Sequence, residues 1–161
     1  MKLHNCTSVL FVKDAQKSKD FYVGLGMTVI ADFGGMNIVF KEGFAIWQIA
    51  DENIIVNTLG RNNIENAGSA SRFEIVFETD DFDAVYKTVK EKNVKFLHEI
   101  NTEVWGQRTI RFYDLDGHLI EVGEAIPVFL KRIFDEEKQD IEATSKRTFM
   151  PQEAIKQILG V

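Results

Sequence analysis

A glutamate inside an apolar strand pattern is the first feature of this chain that suggests chemistry. Glu121 stands between Ile120 and Val122, so in a β-strand its carboxylate projects from the face opposite two aliphatic side chains. A carboxylate is costly to bury unless a partner compensates its charge. We therefore expect Glu121 to face a cavity.

The run that precedes Glu121 supplies polar side chains to one face of a second strand. A turn containing Asp114, Asp116 and Gly117 joins residues 107–113 to residues 119–123, and this pattern predicts a β-hairpin. Because a strand alternates at every residue, four polar side chains share one face of the first run. They are Gln107, Thr109, Arg111 and Tyr113.

The elements that must position these residues occur twice in the same order. The first half is predicted to contain a strand, a helix and three strands, at 9–12, 15–23, 27–33, 36–40 and 44–49. The second half repeats this order at 73–77, 82–92, 94–100, 107–113 and 119–123. Asp14 and Asp81 stand before the two helices as caps, and aligning them superimposes the halves. The pattern indicates an internal repeat.

The segment between the halves has no sustained period, and its Asn, Gly and Ser content predicts a loop with a short turn near 54–59. We therefore divide the chain into four parts. They are a first βαβββ module at 1–50, a linker loop at 51–71, a second βαβββ module at 72–124 and an appended helical tail at 125–161.

The closing run YDLDGHLIEVGE, together with the duplicated order, resembles the vicinal oxygen chelate superfamily. That superfamily includes glyoxalase I, the bleomycin- and fosfomycin-resistance proteins and the extradiol dioxygenases. The resemblance covers about residues 5–124. It implies an α+β fold in which two βαβββ modules form a curled mixed sheet around a cavity, here with C-terminal helices added. It also implies a homodimer that takes a small-molecule ligand.

In metal-dependent members of this superfamily, four ligands come from equivalent strand positions, and the glutamate that corresponds to Glu121 is commonly the last. Carried onto this chain, the other positions fall on Thr7, Trp47 and Glu74. Only Glu74 and Glu121 are plausible ligands, whereas a divalent ion needs several converging oxygen or nitrogen donors. The resemblance thus implies a divalent metal for which the ligand set is incomplete, and no other cofactor is indicated.

Glu74 and Glu121 have two alternative roles. If they lie close together with little solvent, like-charge repulsion and desolvation raise at least one pKa, which suits acid/base catalysis on a carbonyl compound. If Arg111 pairs with one of them, the cluster is structural instead.

Other side chains of the predicted sheets are candidates for substrate binding. Trp47, Trp105 and Tyr113, with Phe44, offer flat surfaces for a ligand, although aromatic residues in sheets more often belong to the core. Gln107 and Arg111 supply polar contacts on the same face as Tyr113. His98 is a base, a ligand or a residue at the rim of the site, and His118, in the turn, is expected to be exposed.

Composition argues against several classes of function. The 161 residues carry a net charge of −6 and a pI of about 5.1, without a cluster of Lys or Arg, which argues against nucleic-acid binding. No apolar run has the length of a membrane span, and no segment matches a signal peptide. Cys6 has no partner for an internal disulfide. We expect a cytoplasmic protein without membrane or nucleic-acid partners.

After Glu124 the chain extends beyond the minimal superfamily pattern. Three helices are predicted, at about 127–136, 141–146 and 151–159. The last two only faintly resemble a helix-turn-helix, because the final one carries one Lys and no Arg. We expect this tail to cover the sheet or a second subunit through its apolar side chains. These are Phe129, Phe134, Ile155 and Leu159.

The leading functional hypothesis is a glyoxalase-like enzyme, a lyase or isomerase, that acts on a small carbonyl or polar organic compound. Glu74 and Glu121 would be its acid/base groups or partial metal ligands. The alternative is a non-catalytic protein that binds a small molecule, as the drug-sequestering members do. A more distant alternative is an interaction or DNA-binding role of the tail. Fold alone does not choose among them.

Overall fold

A computed structural model describes residues 7–51, 53–67 and 73–161, so Cys6 lies outside the described residues. The elements in chain order are β1 (Ser8–Val12), α1 (Ala15–Val23), β2 (Val29–Phe33), β3 (Asn37–Phe40), β4 (Phe44–Gln48), α2 (Ile54–Leu59), α3 (Arg61–Glu65), β5 (Ile75–Thr79), α4 (Phe82–Glu91), β6 (Phe96–Thr102), β7 (Arg108–Tyr113), β8 (Leu119–Glu124), α5 (Ile126–Glu136), α6 (Ile141–Thr148) and α7 (Gln152–Leu159). The predicted α+β class, with two βαβββ modules followed by C-terminal helices, is confirmed.

The first module forms a four-stranded mixed sheet in the order β1-β4-β3-β2. β1 runs parallel to β4, with Phe11 opposite Trp47, while β3 pairs antiparallel with both β2 and β4. Alternation sends one face of these strands into the core. The buried side chains of this face are Leu10, Val12, Ile38, Phe40 and Ile46.

Helix α1 packs on this sheet and begins where the sequence predicts. The Asp14 carboxylate accepts a hydrogen bond of 3.0 Å from the Lys17 N–H, which satisfies one unpaired donor of the first turn. Gln48, at the end of β4, satisfies another, since its Oε1 accepts from the Ala15 N–H at 2.6 Å. The Gln48 Nε2 donates to the Lys13 carbonyl at 2.7 Å. Gln48 therefore joins β4 to the start of α1.

Two short helices occupy most of the segment for which the sequence predicts a loop. Asn53 caps α2 by accepting from the Ile55 N–H at 2.9 Å, and α3 follows directly after Gly60. Val56 is the buried residue of α2. The sequence predicts a short turn near 54–59, where α2 lies, but not α3, because segments of five or six residues are too short to show a helical period.

The second module repeats the first as a sheet in the order β5-β8-β7-β6. β5 runs parallel to β8, and β7 pairs antiparallel with β8 so that Arg111 lies opposite Glu121. One face of the β7–β8 hairpin is buried through Ile110, Phe112 and Ile120. The opposite face carries Arg111 and Glu121, as strand alternation predicts.

The tail helices α5, α6 and α7 pack against one another. The predicted apolar stripe is buried within the chain, since Phe129, Phe134 and Ile155 are each less than a tenth exposed and Leu159 is half-buried. In the part of the chain that the structure describes, none of the helices has the length and apolar character that a membrane span requires.

The chain divides into two compact units by its internal contacts. The first comprises the chain up to Phe73 together with residues 114–118, and the second comprises residues 74–113 and 119–161. The turn between β7 and β8 thus belongs to the first unit, and the tail belongs to the second.

Gly106, in the loop between β6 and β7, combines a positive φ with a close approach to α5. Its φ is +96°, and a Cβ there would lie 2.8 Å from Ile133 Cδ1 on α5. Gly106→Ala is expected to lower the free energy of unfolding by about 2 kcal/mol, from backbone strain and displacement of Ile133. Gly43→Ala is the matched control, because Gly43 has a φ of +94° with open space around its Cβ position. Urea denaturation measures both, and equal losses would show that the contact with α5 is unimportant.

Candidate functional site

Three glutamates converge on one guanidinium at the polar face of the second sheet. Arg111 donates through Nε to Glu74 (2.9 Å), through Nη1 to Glu103 (2.9 Å) and through Nη2 to Glu121. We call these four residues, with His98, the Arg111 cluster. The hairpin register positions its centre, because Arg111 and Glu121 are directly opposite each other. Glu74 precedes β5 and Glu103 follows β6, so four segments of the second unit contribute.

The cluster is half-buried and carries an excess of negative charge. The exposed fraction of the side chains rises from 9% for Glu121 and 17% for Glu103 to 31% for Glu74. The hydrogen bond from Arg111 holds the pKa of Glu103 below its ordinary value, although burial opposes this. Burial alone would lower the pKa of Arg111, but the hydrogen bonds to Glu103 and Glu74 outweigh that effect and raise it. Three carboxylates and one guanidinium leave two negative charges.

His98, on β6, contacts Arg111 through one ring nitrogen. Its Nδ1 is 2.7 Å from the Glu99 carbonyl oxygen, and its Nε2 is 3.2 Å from Arg111 Nη1. A carbonyl oxygen only accepts hydrogen bonds, so we assign the ring proton to Nδ1 and the acceptor role to Nε2. His98 Nε2 therefore accepts a hydrogen bond from Arg111 and helps to orient the guanidinium.

The predicted acid/base pair is bridged by a cation. The contact with Arg111 that the sequence left open is made by both Glu74 and Glu121. A guanidinium between two carboxylates offsets their mutual repulsion. The arrangement favours the structural interpretation of the pair.

Three predicted substrate-binding residues support the β7–β8 hairpin. Trp105 donates from Nε1 to Gln107 Oε1 at 3.0 Å, and Gln107 donates from Nε2 to the Glu124 carbonyl at 2.7 Å. The Lys95 ammonium lies 5.2 Å from the centre of the Tyr113 ring. Among the described residues, these polar contacts are with the hairpin and its neighbouring strand and not with the Arg111 cluster.

Trp47 lies on the face of β4 opposite to the buried Ile46 and stacks on Phe11, with ring centres 6.2 Å apart. Its partner across the β3–β4 hairpin is Asn37, just as Arg111 is the partner of Glu121 in the second module. The Asn37 Oδ1 is buried and makes no hydrogen bond to any described residue, so a water or ligand donor is needed there. Phe44, by contrast, is a core residue that stacks on Phe40 at 4.6 Å.

The residues at the four superfamily ligand positions do not fit a divalent metal ion. Thr7 is exposed and Trp47 has no lone-pair donor. Glu74 and Glu121 are bound to a guanidinium, whose positive charge repels a metal cation. Within residues 7–51, 53–67 and 73–161, no three His, Cys, Asp or Glu side chains are arranged to hold a metal ion.

A second charged cluster, which the sequence analysis did not identify, anchors the tail. Glu124 ends β8 with a side chain 1% exposed, and its carboxylate accepts from Arg108 Nε (2.8 Å), the Arg108 N–H (2.9 Å) and Arg132 Nη2 (2.6 Å). Arg132, on α5, also donates to the Gly106 carbonyl at 2.8 Å. Burial alone would raise the pKa of Glu124, but the hydrogen bonds from Arg132 and Arg108 hold it below its ordinary value. The only sequence signal was an acid at the end of an apolar strand.

The turn between β7 and β8 holds a buried hydrogen-bonded triad. Asp114 Oδ2 accepts from the Tyr22 hydroxyl at 2.7 Å and lies 2.8 Å from His118 Nδ1. Asp114 Oδ1 accepts from the backbone N–H groups of Asp116 and His118. The prediction that His118 is exposed is wrong, because its side chain is 25% exposed and paired. Tyr22 and Asp114 are 92 positions apart, so no local pattern predicts their contact.

The Asp114–His118 contact stabilises the charged form of each partner. Burial alone would raise the pKa of Asp114, but the hydrogen bonds from His118 and Tyr22 outweigh it and lower that pKa. Burial alone would likewise lower the pKa of His118, but the bond to Asp114 outweighs it and raises that pKa above the ordinary 6.5. The pair therefore favours a protonated imidazole beside an ionised carboxylate.

Comparison with solved structures supports the fold at several levels of identity. The crystal structure of a protein of unknown function from Agrobacterium tumefaciens str. C58 is 34% identical, with a TM-score of 0.66, over 78% of this chain and 97% of that chain. TioX from Micromonospora sp. ML1 is 14% identical, with a TM-score of 0.57, over 76% of this chain and 96% of its own. A lactoylglutathione lyase from Agrobacterium tumefaciens is 20% identical, with a TM-score of 0.54, over 77% of this chain and 95% of its own.

The last two likenesses show the fold alone, and no curated protein matches the chain. The family described as the glyoxalase-like domain matches residues 5–127, which include both modules and stop at the start of α5. The resemblance inferred from the closing hairpin is thereby confirmed, and the chain belongs to the glyoxalase-like domain family of the vicinal oxygen chelate superfamily.

Proposed function

We propose that this glyoxalase-like protein binds a small polar organic molecule at the Arg111 cluster without a protein-bound metal ion. The observation that carries the proposal is the Arg111 guanidinium, which binds both glutamates at the superfamily ligand positions. An arginine supplies a fixed charge and directed hydrogen bonds, but it does not ionise a bound water as a metal ion does. Binding is therefore favoured over metal-assisted turnover.

The charge of the cluster favours a ligand that donates hydrogen bonds. Each of Glu74, Glu103 and Glu121 uses one oxygen for Arg111, and the two excess negative charges repel an anion. Hydroxyl and amino groups satisfy carboxylate oxygens, with charge-assisted bonds in the case of an ammonium. We infer that the ligand is a small amine or polyol.

A metal-free acid/base reaction on a carbonyl compound is the second candidate. Glu74 has the most exposed carboxylate of the cluster, and its Oε1 makes no hydrogen bond to any described residue. Such an oxygen can take a proton from a bound substrate. Turnover that is lost in Glu74→Gln and retained in the presence of a chelator would favour this candidate.

Thermal denaturation of chelator-treated protein tests the proposed binding. Small diamines, amino sugars and polyols are compared with carboxylates of similar size, for the wild type and for Glu121→Gln. We expect an amine or polyol to raise the midpoint equally with and without EDTA, and the rise to disappear in Glu121→Gln. Glu91→Gln, at the exposed end of α4, is the matched control and is expected to keep the rise. A stoichiometric metal ion in the purified protein, needed for the rise, would overturn the proposal.

A further inference from the structure

A cavity of about 290 Å³ lies in the first unit, beside the turn that carries Asp114 and His118. Its lining includes the apolar side chains of Phe11 on β1, Ile49 directly after β4 and Ile64 on α3. Polar groups also line it, namely Lys13, Glu65, Asp116 and His118. This cavity does not belong to the Arg111 cluster, all of whose residues lie in the second unit.

His118 presents a single available donor to this cavity. Its Nδ1 is engaged by Asp114 Oδ2 at 2.8 Å, whereas its Nε2 makes no hydrogen bond to any described residue. Asp114 cannot rotate to release the ring, because both of its oxygens accept further hydrogen bonds from Tyr22 and from backbone N–H groups. The imidazole is therefore held in one orientation, and in its protonated form it has one N–H left for a ligand.

Among the charged groups that line the cavity, the two acids have protein partners, whereas the Lys13 ammonium and His118 Nε2 do not have them among the described residues. Glu65 is paired with Arg61 at 3.0 Å, and Asp116 accepts from the Lys13 N–H at 3.0 Å and from Ser18 Oγ at 3.3 Å. The Lys13 ammonium makes no ion pair within the described part of the chain. The two acids are thus satisfied by protein donors, while the two cationic groups, Lys13 Nζ and His118 Nε2, remain available.

We propose that this cavity is a binding site for a small organic carboxylate. The carboxylate group accepts from His118 Nε2 and pairs with the Lys13 ammonium, and the apolar body of the ligand lies against Phe11, Ile49 and Ile64. The volume of about 290 Å³ is at the small end for ligand pockets and suits an aryl or short alkyl acid. This site is independent of the proposed function, since the excess negative charge of the Arg111 cluster repels such a ligand.

The pH dependence of binding follows from the groups that face His118. Asp114 and Asp116 lie on its own turn, Tyr22 on α1, Lys13 before α1 and Glu65 on α3. The protonated imidazole binds the carboxylate, and the raised pKa of His118 extends this form above pH 6.5. Affinity is thus expected to be constant between about pH 5, above which the ligand is ionised, and about pH 6.5, and to decline as pH rises through the folded-state pKa of His118.

Isothermal titration with phenylacetate tests the proposal, with phenylacetamide as the neutral probe of the same shape. We expect phenylacetate to bind the wild type, and its affinity to fall at least tenfold in His118→Gln and severalfold in Lys13→Gln. Lys146→Gln and Glu91→Gln, both exposed in the second unit, are expected to bind it as the wild type does. Phenylacetamide is expected to bind at least tenfold more weakly than phenylacetate.

Three results would overturn the proposal. They are no phenylacetate binding at millimolar concentration, unchanged affinity in folded His118→Gln, and equal binding of phenylacetamide. Circular dichroism of each variant establishes folding. If His118→Gln does not fold, Lys13→Gln decides together with the wild-type pH profile, because Lys13 is exposed. Unchanged affinity in Lys13→Gln with a flat pH profile would then sink the idea.

Discussion

Glu124→Ala is expected to lower the free energy of unfolding by about 3 kcal/mol. The substitution leaves Arg108 and Arg132 without their shared carboxylate and also removes the acceptor of the Arg108 N–H. Removing one partner of a buried ion pair is costly because the remaining charge stays uncompensated. We place the loss at the lower end of the usual range, since both arginines are about a third exposed and can reach water. Urea denaturation followed by circular dichroism at pH 7 measures the loss.

Glu136→Ala is the matched control for this prediction. Glu136 pairs with the same Arg132, at 3.2 Å, and with Arg147 at 2.7 Å, but its side chain is 43% exposed. Solvent screens such a pair, so its removal is expected to cost less than about 1 kcal/mol. If the two substitutions destabilise the protein equally, the burial of Glu124 is not the source of the effect.

The pH dependence of the Glu124→Ala effect provides a second check. Hydrogen bonds in the folded state hold the pKa of Glu124 below its ordinary value of 4.5. A group with a lowered folded-state pKa stabilises the protein above its unfolded-state pKa, and this stability is lost as pH falls through the folded-state pKa. The difference between the wild type and the variant is therefore expected to be constant near neutral pH and to shrink below about pH 4.5.

Arg111→Met is expected to lower the free energy of unfolding by about 2 to 3 kcal/mol at pH 7. Methionine fills part of the arginine volume but leaves Glu74, Glu103 and Glu121 facing one another in a half-buried site. The mutual repulsion of the ionised carboxylates destabilises the variant, and this repulsion grows as pH rises above the ordinary pKa of glutamate. In the wild type the pKa of Glu103 is lowered, and its stabilising contribution is present above 4.5. The gap between the two proteins is therefore expected to widen from pH 4 to pH 7, as urea denaturation measures.

The same variant tests whether Arg111 takes the place of a metal ion. The three carboxylates and His98 are not arranged to hold a metal ion in the wild type, but without the guanidinium they can move towards a divalent cation and supply oxygen and nitrogen donors. We expect Mn²⁺ or Zn²⁺ to raise the thermal midpoint of Arg111→Met but not that of the wild type. An equal rise in the wild type would contradict the idea that Arg111 blocks the site.

Arg61→Met is the control for both readouts. Arg61 also binds two carboxylates, those of Asp51 and Glu65, but its side chain is 42% exposed. Water screens the acids that remain in that variant. We expect neither a pH-dependent loss comparable with that of Arg111→Met nor stabilisation by a divalent cation.

Local signals in the sequence were sufficient to predict the order of the elements and several of their ends. Asp14 and Asp81 cap α1 and α4 because a cap depends on residues only three positions away. The segment with α2 and α3 was predicted as a loop with a short turn near 54–59, because helices of this length show no period. The closing hairpin was predicted from its turn residues, and its register places Arg111 opposite Glu121.

The candidate site was predicted only in part. Strand alternation placed Arg111 and Glu121 on the polar faces of their strands, because the side-chain period of a strand is two. Glu103 was missed as a partner of Arg111. Its position depends on the pairing of β6 with β7, which shifts register twice between Phe96 and Asn101. Such irregularities move side chains between faces and leave no mark in the hydrophobic pattern.

By itself, the sequence determined the fold class, the duplicated βαβββ order and the side of its strand from which Glu121 projects. Only the tertiary structure decided which partner each buried acid has. Glu121 pairs with Arg111, Glu124 pairs with Arg108 and Arg132, and Asp114 is hydrogen-bonded to His118 and Tyr22. The physical reason is that alternation depends on neighbouring residues, whereas charge compensation depends on distance in space. The Glu74–Arg111 and Tyr22–Asp114 contacts join residues 37 and 92 positions apart, and folding alone brings such groups within hydrogen-bond reach.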